Sequence, residues 1–334
     1  MSASMAQDGL EHGGRLGAAR RLFAGAPEPF FDLSTGINPR PWPVPALGPD
    51  AWGRLPEPEA ERALRVAAAA AYEAATPEMV AAAPGTQLLI QLLPRIFPQG
   101  RLAVLGPTYA EHAACWGAAG TAVVEVDTFK ALFDAPAALL CNPNNPDGRR
   151  VGLGELRALA DAMAARDGVL VVDEAFADLE PELASASSLL PHPAIIVLRS
   201  FGKTYGLAGL RLGFALAAPE RAAAIRGWLG PWAVSGPALA IGAAALTDAP
   251  WRAGESTRLA AEAARLDALL QAAGLRIIGG TRLFRLAEGD ASVWHQRLGR
   301  AGILTRPFAR QPRWLRFGLP PDEAAWARLA SALG

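Results

Sequence analysis

The feature that most constrains the fold is an alternation of short apolar runs with helical stretches between Gln87 and Ser200. Residues 102–105, 123–126, 137–141, 169–172 and 194–198 are runs of four or five residues rich in Val, Leu and Ile, and read as buried strands. Between them, 109–119 and 152–165 carry helical patterning. Alternation of this kind predicts an α/β domain with a mainly parallel sheet covered on both faces. In such sheets ligands gather beyond the carboxyl ends of the strands. Upstream, 57–75 is helical, with Leu64 and Tyr72 on one side and charges on the other. From about Pro219 the pattern changes to long Ala/Leu/Arg helices, notably 252–273. Three short strands near 282–286, 304–308 and 314–319 and a terminal helix follow. The expected organisation is an N-terminal arm and small-domain segment (1–50), a large α/β domain (51–225) and a small α+β domain (226–334).

The arm reads as extended after a short helix at 16–23, because prolines at 39, 41, 43 and 45 forbid helix and central strand alike. An extended arm lies across another surface, and a partner subunit is one candidate. With 334 residues, 51% of them hydrophobic, the chain can bury a large core. Lys plus Arg equals Asp plus Glu at 32 each, so no nucleic acid or other polyanionic partner is expected. Two cysteines, Cys115 and Cys141, are too few for a disulfide framework and suit a reducing cytoplasm. Asp8 and Glu11 in an N-terminus without an apolar core argue against a signal peptide. Tyr72 and Glu73 break the Ala-rich run 66–75, which is too short for a membrane span.

The chemistry centres on Ser200-Phe201-Gly202-Lys203-Thr204-Tyr205-Gly206-Leu207-Ala208-Gly209-Leu210-Arg211. Lys203 stands five residues past an apolar strand, with Arg211 eight further on. A lysine that forms an imine must be held in place and partly desolvated to lower its pKa. Four other clusters follow strand ends or open a helix. Pro84-Gly85-Thr86-Gln87 starts a helix, where free N–H groups and the dipole suit a phosphate as well as a plain cap. Tyr109 follows Gly106-Pro107-Thr108 and could stack on a flat ring. Asn142-Pro143-Asn144-Asn145-Pro146-Asp147-Gly148 is a tight loop able to aim an amide into a cleft. Asp173 ends an apolar strand, where a carboxylate is costly unless something cationic meets it. His112, three after Tyr109, either backs Asp173 or faces solvent.

Together these motifs resemble the fold-type I pyridoxal-phosphate enzymes of the class I/II aminotransferase group, over nearly the whole chain. The resemblance implies that Lys203 carries pyridoxal 5'-phosphate as a Schiff base and that Asp173 pairs with the ring nitrogen. It also implies that Tyr109 stacks on the ring and Asn145 bonds its phenolic oxygen. Gly85, Thr86 and Gln87 N–H groups, Ser200 and Arg211 would meet the cofactor phosphate. Arg316, in Trp314-Leu315-Arg316-Phe317, matches the arginine that grips a substrate carboxylate, with Asn38 nearby. No metal ligands are assigned. His12-Gly13-Gly14 and Ser34-Thr35-Gly36-Ile37-Asn38-Pro39 are similar to a decarboxylase branch that acts on a phosphorylated amino acid. Phe176 replaces a tyrosine usual in the aminotransferases, again as in that branch. His12, Gly13, Gly14 and Arg306, with Arg15 beside them, are the groups assigned to the substrate phosphate. Leu55 stands where many relatives carry a tyrosine that reaches the partner subunit's site, although a homodimer is still expected. Transamination of histidinol phosphate or a related amino acid is the alternative. A non-catalytic binding module is disfavoured because Lys203, Asp173, Asn145 and Arg211 are all present.

Overall fold

In the computed structural model, residues 12–334 are described; the reading based on Asp8 and Glu11 lies outside the described residues. A seven-stranded sheet forms the centre, in the order Val80–Ala83, Gly213–Ala217, Ile195–Ser200, Leu170–Asp173, Ala137–Cys141, Arg101–Leu105, Ala122–Val126. The last five run parallel, as their alternation with helices predicts. Gly213–Ala217 is antiparallel to both of its neighbours. Successive side chains point to opposite faces. Ile195 and Val197 enter one core while Ile196 and Leu198 enter the other. Each such aliphatic side chain, removed from water, stabilises the fold by about 1.5–3 kcal/mol. Helices Thr86–Ile96, Ala110–Ala118 and Pro219–Leu229 cover one face. Pro58–Ala71, Leu153–Ala164 and Gly236–Thr247 cover the other.

Two strands of this sheet were not legible. Val80–Ala83 reads VAAA and Gly213–Ala217 reads GFALA. Alanine and glycine disfavour strand, and what places these residues in the sheet is burial between neighbours. All nine of their residues are buried.

A second core gathers Leu259, Leu266 and Leu270 of the helix Ala249–Ala272 with Phe284, Leu315 and Phe317. It underlies a four-stranded antiparallel sheet ordered Arg306–Pro307, Trp314–Gly318, Phe284–Glu288, Arg276–Thr281. The last of these, RIIGGT, was also missed, because two glycines interrupt its apolar run. The arm contributes Phe31 and Leu33 to this core, and Phe31–Asp32 pairs in parallel with Ile303–Leu304. No helix among the described residues is long and apolar enough to cross a membrane.

Candidate active site

A cavity of about 320 Å³ lies at the carboxyl ends of the parallel strands, between the two cores. Strand ends supply Cys141, Asp173 and Ser200; the helix start at Thr86 supplies Gly85, Thr86 and Gln87. Of the other residues that the sequence predicts, Tyr109, Asn145, Lys203, Arg211 and Arg316 line it as well, with His12 and Gly13 at one wall.

Lys203 opens off the four-residue helix Phe201–Thr204, directly after its strand. Its Nζ donates to Ser200 Oγ at 3.3 Å and stands 5.1 Å from the centre of the Phe176 ring. Burial lowers its pKa; nearby Asp173 opposes this, and Arg316 and Arg211 add to the lowering. Asp173 sits at the end of its strand, 5% exposed. Burial alone would raise its pKa, yet His112 Nε2 at 2.8 Å and the Ala175 N–H at 3.0 Å hold it below the usual carboxylate range. His112 is correspondingly pushed up to about 10, its burial outweighed by the bond to Asp173 and the closeness of Cys141. The pair is therefore a carboxylate and an imidazolium. Of the two readings of His112, the structure selects the one that backs Asp173. The ligand atoms of His112, Cys141 and Asp173 lie within 4.8 Å of one another.

Where the helix Thr86–Ile96 begins, the cavity wall has features that suit an anion. Gly85 adopts φ +82°, and a Cβ there would stand 2.6 Å from Arg211 Nη2. Arg211 itself is left-handed, at φ 55°. The helix Thr86–Ile96 has no side-chain cap, so its first N–H groups are free to meet an anion. Gln87 is held sideways: its Oε1 accepts from Tyr109 Oη at 3.1 Å and its Nε2 donates to Glu111 at 2.9 Å.

Arg316 is buried and, among the described residues, has no carboxylate partner. Its Nη1 donates to Asn145 Oδ1 at 2.5 Å and its Nη2 to the Ser34 carbonyl at 2.8 Å, while Nε has no partner. Burial, with Arg306 nearby, lowers its pKa to about 10. A buried guanidinium in this state is waiting for an anion.

Three predicted contacts are placed elsewhere. Asn38 is buried, but its side chain bonds the Thr204 carbonyl, Glu255 and Arg258 and does not line the cavity. Gly14 spends its N–H on Ser34 Oγ at 2.8 Å. Arg306 lies on the strand beside Arg316 and lines an adjoining cleft of about 270 Å³. That cleft shares His12 and Gly13 with the main cavity and also holds Arg15. Conversely, the sequence reading missed Glu111. This carboxylate is 6% exposed and joins His12 Nε2, at 2.9 Å, to Gln87. Its helical spacing from Cys115 gave no hint of this, since both partners come from other elements.

Pyridoxal phosphate fits the residues present. A flat ring carrying one phosphate needs a glycine-lined anion cradle, a carboxylate for its basic nitrogen and a desolvated lysine. Gly85 with Arg211, Asp173 with His112, and Lys203 meet these needs.

Comparison with known proteins agrees. Residues 49–333 match the family described as aminotransferase class I and II. The chain is 47% identical over 331 residues to a threonine-phosphate decarboxylase from a Sinorhizobium species, covering 97% of each. It is 45% identical over 328 residues to the threonine-phosphate decarboxylase of Pseudomonas aeruginosa, again covering 97% of each. A histidinol-phosphate aminotransferase from Shewanella amazonensis is 30% identical over 295 residues, covering 82% of this chain and 80% of the other. Among solved structures, the histidinol-phosphate aminotransferase of Sinorhizobium meliloti in complex with pyridoxal-5'-phosphate superposes with a TM-score of 0.85 at 24% identity, covering 99% of this chain and 96% of that one. This chain belongs to the class I and II aminotransferase family, with the fold-type I architecture of its members.

Proposed function

We propose that this chain is a pyridoxal-phosphate-dependent threonine-phosphate decarboxylase. It removes the carboxylate of L-threonine O-3-phosphate as carbon dioxide and leaves (R)-1-amino-2-propanol O-2-phosphate, an aminopropanol unit for cobalamin biosynthesis. The observation that carries the reading is near-full-length identity of 47% and 45% to threonine-phosphate decarboxylases, against 30% to an aminotransferase over a shorter span. Phe176 on the Lys203 side of the cavity agrees with it, since the tyrosine usual in the aminotransferases is absent.

When bound, the cofactor supplies an electron-withdrawing ring that takes up the electron pair of a bond broken at the substrate Cα. The protein decides which bond that is. Arg316, which lines the cavity, takes the substrate carboxylate, with Asn145 beside it. His12 and Gly13 lie at the wall shared with the Arg15 and Arg306 cleft, and together these groups take the phosphate. Two such anchors would limit the substrate's rotation and so would select the carboxylate as the bond to be broken. Asp173, its pKa lowered beside His112, would pair with the cofactor's ring nitrogen and favour its protonated form. Tyr109 would cover the ring, and Ser200, Gly85, Thr86, Gln87 and Arg211 would hold its phosphate. Lys203 Nζ, its pKa lowered by burial, delivers to Cα the proton that replaces the carboxylate.

The reading includes a cytoplasmic homodimer. Trp52, Leu55 and Trp232 are each more than half exposed around one apolar cleft, which a second copy would cover. Light scattering that finds a monomer at working concentration removes that part.

The decisive experiment incubates holoenzyme with threonine phosphate and measures both carbon dioxide and amino-group transfer to a keto acid. Stoichiometric carbon dioxide is expected. Transfer from histidinol phosphate with no carbon dioxide from threonine phosphate would assign the chain to the aminotransferases.

A further inference from the structure

The helix that carries Lys203 is four residues long and ends among carbonyls that no turn of helix can satisfy. The arm satisfies them from a distance. The Asn38 backbone N–H donates to the Lys203 carbonyl at 2.8 Å, and its Nδ2 donates to the Thr204 carbonyl at 3.0 Å. The Trp42 N–H donates to the Tyr205 carbonyl at 2.9 Å. The next residue, Gly206, is left-handed at φ +65°, and a Cβ there would stand 2.7 Å from Pro41 Cα. Arm and lysine turn are thus in backbone contact.

Asn38 also reaches the second core's helix. Its Nδ2 donates to Glu255 Oε2 at 3.0 Å, and its Oδ1 accepts from Arg258 Nη2 at 2.9 Å and from the Arg40 N–H at 3.0 Å. Asn38 is 2% exposed and Glu255 5%. A side-chain amide offers two donor hydrogens and two lone pairs, and all four are in use. None remains for a ligand.

We propose that Asn38 is a positioning residue for Lys203: with Glu255 and Arg258 it clamps the lysine turn to the helix Ala249–Ala272, so the lysine's placement depends on the arm and on that helix. The proposal rests on Lys203 being the cofactor lysine. Its physical content is that the Thr204 carbonyl, at the end of a one-turn helix, accepts from the Asn38 side chain and from no other group among the described residues, so freeing it lets the turn fray.

The test compares wild type with Asn38→Ala and Glu255→Gln. The first readout is amide hydrogen exchange across 201–206 in cofactor-free protein; the second is the visible absorbance of the lysine–cofactor bond and its rate of formation. In Asn38→Ala, exchange at 201–206 should rise about tenfold, in line with the loss of one or two net hydrogen bonds. The lysine–cofactor bond should form more slowly with an altered spectrum, and kcat should fall while KM for threonine phosphate stays near its original value. Glu255→Gln keeps an acceptor for Asn38 and should retain most of the wild-type behaviour. Unchanged exchange and spectrum together with a raised KM would show that Asn38 contacts substrate and overturn the proposal. A uniform rise in exchange over the whole chain would also overturn it, as general destabilisation. Should Asn38→Ala be insoluble, Arg258→Met probes the clamp from its far side, and the absence of a local rise at 201–206 in that variant counts equally against it. Borohydride labelling of a different lysine would sink the role of Lys203 without altering the exchange result, so the two failures are distinguishable.

Discussion

Asp173 and Glu174 are consecutive acids at the end of one strand, both buried, and the sheet sends them to opposite environments. Asp173 faces the cavity and His112. Glu174 is 0% exposed, accepting from Ser185 Oγ at 2.6 Å and the Ala186 N–H at 2.7 Å, with Arg199 at 2.9 Å. Their acidities diverge. Asp173 is held low by its ion pair in spite of burial, whereas burial keeps Glu174 above its ordinary value in spite of Arg199. Arg199 is shared with Asp178 at 2.6 Å, so Glu174 competes for its cation. One carboxylate is held toward its charged form at the cavity, and the other is tied into the framework.

The comparison breaks most visibly in turnover. Asp173→Asn should cost on the order of a thousandfold in decarboxylation, as losing a fixed charge beside reacting atoms does elsewhere. Glu174→Gln should stay within a few-fold of wild type. Steady-state kinetics on both variants checks this, and near-normal turnover of Asp173→Asn removes its assigned role. Stability should show the reverse order. Glu174→Ala strips Arg199 of one buried partner and leaves the Ala186 N–H unpaired, a change worth about 3–5 kcal/mol. Denaturant melts of cofactor-free protein, in which Asp173→Asn loses less than Glu174→Ala, would sharpen the contrast.

A third difference lies in pH dependence. His112, raised to about 10, contributes stability that is fully present below its unfolded value of about 6.5 and is lost as pH climbs to about 10. Asp173, depressed, contributes stability above its unfolded value and loses it as pH falls. Glu174, raised, has the opposite sign in acid, where protonation relieves its burial. Cofactor-free His112→Gln should therefore melt with a flatter profile between about pH 6.5 and 10 than wild type. An identical slope would mean that the imidazolium reading is wrong.

The contrast also marks what a sequence can and cannot reveal. Asp173 was legible because a carboxylate at the end of an apolar run needs a cation, Lys203 from its place just past a buried strand, and Gly85 from opening a helix, while Arg211 was read from the family resemblance. The parallel core was legible from the alternation of its strands with helices. What failed depends on partners remote in sequence. Asn38 was assigned to substrate because it stands beside matching residues, yet Thr204, Glu255 and Arg258 take up its amide. Glu111 was silent for the same reason, since His12 and Gln87 reach it from other elements. Val80–Ala83 is a strand by burial alone, which alanines do not announce.

The bond from Arg316 to the Ser34 carbonyl joins positions 282 residues apart. Contacts of such span pay their loop-closure entropy before they return any stability, and they form late. During synthesis the sheet of the large core can assemble while the strand Trp314–Gly318 is still within or near the ribosome. A chain stopped before that strand would carry the lysine turn and the phosphate cradle intact but lack the guanidinium opposite them. Such a nascent chain would keep the cofactor cradle while having no grip on an amino acid, so competence to react arrives only with the strand Trp314–Gly318.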